Sequence, residues 1–236
     1  NSPTQNMPDA IRNRSDFEHL VTGYDAEIAY TDYQVQRVLD ALDAHGVLED
    51  AVIIISADHG EAMGEHGVYG DHVCADECIN RVPLIIKWPG VTTPGTVCED
   101  YLYNVDFVAT LIELTGGEIP AYYDGRSFAS GMGKGDCHLH DYLVWGHGLY
   151  TLQRSVRTPR HLMVRTYDDY GYSFDPVELY DMEKDPYETN NLRDEAPQVA
   201  RQLDHYLAEW LHEQSVKPYA IPDPLQVEWH ERQKGN

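Results

Sequence analysis

Long apolar runs are missing from this chain of 236 residues: no stretch approaches the roughly 18 consecutive apolar positions that a membrane-spanning helix requires. Positive charge is scarce. With 17 lysines and arginines against 40 aspartates and glutamates, the formal net charge of −23 repels nucleic acid and anionic membrane alike. Any anionic ligand must therefore be met by a local cluster of cations or by a metal ion. The four cysteines, Cys74, Cys78, Cys98 and Cys137, are too few for a disulfide scaffold and lack the C-x-x-C spacing of a zinc module. Reduced structural thiols are expected, although Cys74 and Cys78, four apart, would face each other on a helix and leave a disulfide or soft-metal pair open. The opening "NSPTQNMPDAIRNRSDF" resembles neither a signal peptide nor a transit peptide. The compartment stays undetermined, with cytoplasm slightly favoured over periplasm. No repeat or low-complexity tract is present.

Hydrophobic residues make up 42% of the chain, ample for a packed interior. From Ser15 to Ala44, Leu20, Tyr24, Ile28, Val35, Val38, Leu39 and Leu42 recur at three- and four-residue steps and predict an amphipathic helix stopped by Gly46. "AVIIISAD" predicts a strand buried on both faces, hence part of a parallel or mixed sheet. "RVPLIIKWPG" reads as a second core strand and "NVDFVATLIELTGG" as a helix capped by Asn104. After a turn-rich connector, "DYLVWG", "LYTLQRSVRT", "HLMVRTYDD" and "VELYDM" follow as strands with no helices between them, a pattern that pairs antiparallel. "NLRDEAPQVARQLDHYLAEWLHEQ" closes the series as a helix capped by Asp194, with Val199, Leu203, Tyr206, Leu207, Trp210 and Leu211 inward. The expected fold class is α/β: a layered core over residues 1–130 and a small C-terminal α+β subdomain, antiparallel sheet plus helix, over residues 131–236.

The stretch "IIISADHGEAMGEHGVYGDH" runs from the apolar strand into a loop rich in histidine, glycine and acids. In open α/β sheets ligands collect beyond the carboxyl ends of strands, where Asp58 and His59 fall. A carboxylate oxygen beside an imidazole nitrogen can hold a divalent cation, and a cation would supply the positive charge that this acidic chain lacks. The plainer reading makes Asp58 the cap of a following helix and His59 a hydrogen-bonded loop residue. His66 and His72 are each more often ordinary surface histidines than ligands. Glu61 and Glu65 read as solvated acids or as partners that orient the histidines.

The run "YDAEIAYTDYQVQRVLDALDAHGVLEDAVIIISADHGEAMGEHGVYGDHVCADECINRVPLIIKWPG", together with "SVRTPRHLMVRTYDD" and "ELYDMEKDPYETNNL", resembles the second half of the sulfatases in the alkaline-phosphatase superfamily. The resemblance spans about residues 24–210. It implies an alkaline-phosphatase-like α/β/α sandwich and one divalent cation, usually calcium, with magnesium, manganese or zinc as alternatives. Asp58 and His59 match the Asp-His or Asp-Asn pair that contributes to holding it. Family members attack sulfate with a formylglycine made from a C/S-x-P-x-R motif. No such motif occurs in this chain, and the Asp-Asp pair near the family's N-terminus is also absent, so the resemblance implies a missing N-terminal half that carries the nucleophile. Many relatives read Gly-Lys where this chain has Asp71 and His72, which moves the catalytic and sulfate-contacting role to His72.

His147, between glycines in "VWGHGLY", is a further candidate for binding substrate, against a structural reading. Arg81 reads as an ion-pair partner before a substrate contact, and Tyr122 and Tyr123 as ordinary exposed aromatics. The implied activity is hydrolysis of a small sulfated substrate to alcohol and sulfate, the 236 residues alone being inactive. The competing readings are phosphodiester or phosphonate-ester hydrolysis on the same scaffold, and an inactive fragment or interaction module. Partners implied are the missing half or further copies of the chain, with no nucleic acid and no membrane.

Overall fold

The computed structural model describes residues 10–235. The polar opening segment lies largely outside them. Helix α1 (Arg14–Ala44) starts at Asn13, whose side-chain oxygen accepts hydrogen bonds from the amides of Ser15 and Asp16 at 2.8 and 3.1 Å. Its periodicity is the one expected, but Leu20 is its only buried residue, and Tyr24, Ile28 and Val38 are 39, 55 and 60% exposed. The helix meets the other described elements near its first turns, where Phe17 packs edge-on to Tyr69 and Leu20 lies against Gly70.

The apolar run forms strand β1 (Ile53–Ser56), and strand β4 (Leu84–Lys87) pairs with it. Their register, Ile53 opposite Lys87 and Ser56 opposite Leu84, is antiparallel, which corrects the parallel or mixed arrangement within these residues. Nor is the pair buried on both faces, since Ile55 and Ile85 are 39 and 60% exposed. Among the described residues neither a third strand nor a second layer covers those faces. Lys87 donates to the carbonyls of Leu48 and Glu49 at 2.7 and 2.9 Å and ties the turn between α1 and β1 to the sheet.

Between β1 and β4 the chain forms a small hairpin, β2 (Ala62–Met63) and β3 (Tyr69–Asp71), and one turn of helix, α2 (Glu77–Asn80). Helix α3 (Asn104–Leu114) follows; Asn104 is its first residue rather than its cap, and the Asp106 carboxylate accepts from the Tyr103 amide at 2.8 Å. The expected meander is present as β5 (Leu143–His147), β6 (Leu152–Arg157), β7 (His161–Asp168) and β8 (Val177–Asp181), paired antiparallel in sequence order.

Helix α4 (Pro197–Val216) covers this sheet, and Val144, Val156, Met163, Leu179, Leu203 and Leu207 form their shared core. Burial of each such side chain contributes about 1.5–3 kcal/mol. Val199, Tyr206, Trp210 and Leu211 flank that core as their spacing predicts. Asp194 does not cap the helix; Ala196 precedes Pro197, whose fixed φ suits a first helical position. A last helix, α5 (Pro224–Gly235), was not expected: its sequence carries no apolar stripe.

The segment before α2 is stitched to the meander. Thr151 donates to Val73 O at 2.6 Å, Trp145 to Ala75 O at 2.7 Å, and Gln153 accepts from the Ala75 amide at 2.8 Å. Arg157 pairs with Glu77. The loop that carries the histidines is thereby fixed against the C-terminal sheet. No helix among the described residues is long and apolar enough to cross a membrane.

Candidate metal and anion centre

The chain leaves β1 under a tight constraint. The Gly60 amide donates to Ile79 O at 2.7 Å, and a Cβ on Gly60 would stand 2.0 Å from the Cys78 carbonyl oxygen. Only glycine permits that approach. It anchors the two residues before it, Asp58 and His59, at the mouth of the loop. Asp58 caps no helix, because no helix follows directly.

The Asp58 side chain is 88% exposed. Its Oδ1 accepts from the His59 amide at 3.0 Å, and that bond, with the neighbouring imidazole, holds its carboxyl below the usual carboxylate range. His59 Nδ1 lies 2.8 Å from Gly60 O, so Nδ1 carries the proton and donates to the carbonyl. That bond raises the His59 pKa. It also directs the other nitrogen, Nε2, toward Asp58 Oδ2 at 3.8 Å. A backbone carbonyl on one imidazole nitrogen, with the second free beside a carboxylate, is how metal-ligating histidines are commonly oriented. The donor set, one nitrogen and one ionised oxygen, fits a divalent cation.

The β2–β3 hairpin, with Ala62 opposite Asp71, returns the chain so that the His72 ring stacks on His59 at 4.0 Å between centroids and 30° between planes. His72 Nδ1 is shielded from solvent and has no hydrogen-bond partner, with Glu61 Oε1 at 3.7 Å and Asp71 Oδ1 at 3.9 Å. Ligand atoms of His59, Glu61 and His72 lie within 4.8 Å of one another. His147, at the end of β5, receives the Tyr150 amide on Nε2 at 3.3 Å. Burial, and then the charge of nearby His72, lower its pKa and keep it neutral. Asp58, His59 and His72 thus converge, and His147 lies at the end of β5, on the edge strand of the meander.

The other candidates fall elsewhere. Arg81 is 78% exposed and faces Glu77 at 3.5 Å, an ion pair. Tyr122, 64% exposed, packs edge-on to Tyr219, and Tyr123 closes a turn by donating its amide to Pro120 O. Glu65 accepts from the Met63 amide at 2.6 Å and serves the turn.

A second cluster escapes sequence reasoning. His66 Nε2 lies 3.2 Å from Glu188 Oε2 and 3.6 Å from Asp76 Oδ2, with all three side chains at most 9% exposed. Cys74 donates to Asp76 at 2.9 Å, and the Glu77 amide to Glu188 at 3.1 Å. Burial alone would lower the His66 pKa; the Glu188 hydrogen bond and the charges of Asp76, Glu188 and Glu178 outweigh it and raise it to about 9. The one available signal was Glu188 in the Asp-Pro-x-Glu run, and nothing local connects it to a histidine more than a hundred residues earlier.

An Asp-His pair and two stacked imidazoles thus share an open loop at the end of β1, beside the antiparallel sheet. Residues 64–217 match the family described as "N-sulphoglucosamine sulphohydrolase, C-terminal", and residues 2–117 match the family described as "Sulfatase". The chain belongs to the sulfatase family of the alkaline-phosphatase superfamily. It is 29% identical over 219 residues to an N-acetylglucosamine-6-O-sulfatase of Bacteroides thetaiotaomicron, covering 90% of this chain and 38% of that protein. Among solved structures it resembles a protein in complex with its substrate D-glucosamine-2-N,6-O-disulfate (TM-score 0.77, 22% identity, 93% of this chain and 46% of that one). It also resembles a phosphonate monoester hydrolase from Silicibacter pomeroyi (TM-score 0.74, 21% identity, 95% and 46%). These two likenesses show a common fold. The chain spans about two fifths of the length of the curated relatives it matches.

Proposed function

We propose that this chain is the metal-binding C-terminal portion of a sulfatase that hydrolyses sulfate esters to alcohol and sulfate, the attacking group coming from an N-terminal half of the same protein. The observation that carries the reading is the convergence of Asp58, His59 and the unpartnered His72 at the end of β1. Asp58 and His59 would hold a divalent cation, which supplies positive charge to offset negative charge on the sulfuryl oxygens. Calcium follows from the family resemblance, while the imidazole donor also suits manganese or zinc. His72, as an imidazolium, would donate an N–H to the anion and a proton to the departing alcohol. Neutral His147, its Nε2 occupied by the Tyr150 amide, keeps Nδ1–H to donate. The formylglycine nucleophile belongs to the other half.

Metal content and release of sulfate from an aryl sulfate by the full-length protein test the reading. Asp58→Ala is expected to lose cation and rate together; unchanged kinetics would reject the ligand assignment. The isolated 236 residues should show no turnover, and chelator-sensitive turnover from them would overturn an external nucleophile. Preference for a phosphonate monoester over every sulfate ester tried would replace sulfuryl by phosphoryl chemistry on the same residues.

A further inference from the structure

The loop that follows β4 and the turn-rich connector before β5 are pressed together at several points. A Cβ on Gly133 would stand 2.6 Å from Val91 O, and one on Gly135 2.7 Å from Val97 O, so both approaches need glycine. Their φ values of 78 and 74° need it as well. Gly131 closes the turn under the end of the connector, where a Cβ would run into Asp136 O and the Cys137 Cα. Cys98 ends the first run and Cys137 the second.

The two cysteines meet on one atom. Asp100 Oδ2 accepts from the Cys98 thiol at 3.5 Å and from the Cys137 amide at 2.7 Å. The Cys98 side chain also hydrogen-bonds the Cys137 thiol; burial, and then that contact, push Cys137 up to about 12. Cys98 is half-buried and Cys137 buried, both as thiols, so a reagent meets Cys98 first. Cys74 and Cys78, the pair that spacing alone brings together, differ from them. Cys74 is fully enclosed, and its thiol is already committed to Asp76.

We propose that Cys98 and Cys137 are a thiol–disulfide pair whose oxidation staples the loop after β4 to the connector before β5. The oxidant is a low-molecular-weight disulfide of the glutathione class. The Cys98 thiolate attacks one sulfur of that disulfide, its S–S bond breaks, and the first small thiolate leaves and takes up the proton that Cys98 gave up. The Cys137 sulfur then attacks Cys98 Sγ in the mixed disulfide, and the second small thiolate leaves with the Cys137 proton. Two protein thiols are oxidised, one small disulfide is reduced to two thiols, and one S–S bond replaces another. The tightly held proton on Cys137 makes the second step the slow one. The closed loop contains all of α3, so the bond restricts the unfolded chain over a long span.

The test equilibrates the full-length protein with a series of oxidised-to-reduced glutathione ratios, quenches it in acid, alkylates it in denaturant and maps its peptides by mass without reduction. The expected product is a peptide pair joining Cys98 to Cys137, two hydrogens lighter than its separate halves, with Cys74 and Cys78 recovered as alkylated thiols. The oxidised protein should melt about 5 °C above the reduced one, a gain that disappears with dithiothreitol and in Cys98→Ser. Cys137→Ser should instead retain glutathione on Cys98. Free thiols at both positions under the most oxidising ratio would overturn the staple, as would a lasting glutathione adduct on Cys98 of the parent protein or a bond from either residue to any other cysteine. None of these readouts depends on turnover of a sulfate ester.

Discussion

Two histidine clusters arise from one stretch of the chain, with similar donor atoms and opposite surroundings. In the first, the side chains of Asp58, His59 and His72 are 88, 41 and 43% exposed, and His72 Nδ1 has no partner. In the second, His66, Asp76 and Glu188 are 9, 2 and 4% exposed, and the imidazole lies between the two carboxylates. Exposure leaves the Asp58 carboxylate and the His59 imidazole open to solvent. Burial obliges the second to satisfy itself, so a protein-held proton on His66 links the histidine loop to the C-terminal subdomain. The same residue types stand open to solvent in one place, where the proposed function gives them a ligand, and serve the fold in the other.

Removing the buried imidazole should have the largest effect on folding. His66→Ala leaves Asp76 and Glu188 buried without their cation and is expected to cost about 3–5 kcal/mol in denaturant unfolding. His59→Ala, at the exposed cluster, should stay within about 0.5 kcal/mol of the parent. Equal losses at the two sites would erase the distinction.

The pH dependence sharpens the contrast. His66 has a folded pKa raised to about 9 from 6.5, so its contribution is fully present below pH 6.5 and is lost as pH rises through about 9. Burial raises Glu178 to about 7 and Asp76 to about 6, and both then favour the protonated folded state with the same sign at lower pH. Stability should therefore fall on the order of 2–3 kcal/mol between pH 6.5 and 9, and His66→Gln should flatten that slope. A slope of equal size in the variant would place the titrating group elsewhere.

Cation binding probes the exposed cluster alone. At a hundredfold excess over its Kd, a divalent cation should stabilise the full-length protein by about 2.7 kcal/mol, with no gain in Asp58→Ala and an unaltered gain in Glu178→Gln. The smallest effect concerns thiols. Burial raises the pKa of both Cys74 and Cys78, so a thiol reagent at neutral pH should leave them unlabelled in the parent and label them slowly in His66→Ala, where the Cys74–Asp76 contact loosens.

Much of this was legible from residue order. The four-strand meander and the inward face of α4 follow from spacing, because local periodicity and burial agree there, whereas α1 forms over its expected span with most of its apolar stripe exposed. The Asp58–His59 pair follows β1 directly, as its place after an apolar strand indicates, and its cation-binding role belongs to the proposed function. Burial of β1 was not, since whether an isoleucine run is covered depends on layers that lie outside its own sequence. Asp194 and Asn104 misled as caps because several polar residues precede each helix and backbone geometry chooses among them. Helix α5 has no apolar stripe to announce it, and its place is held by Arg232 reaching the Tyr150 and Leu149 carbonyls.

Residue order alone put a carboxylate next to an imidazole in the strand-end loop, the donor pair on which the proposed cation site rests. Only the folded chain decided that His72 would stack on His59 while His66, six residues earlier, would be sealed against Glu188. The reason is that donor chemistry resides in each side chain, whereas proton affinity and access to solvent are set by neighbours that the turns of the backbone bring from far along the sequence.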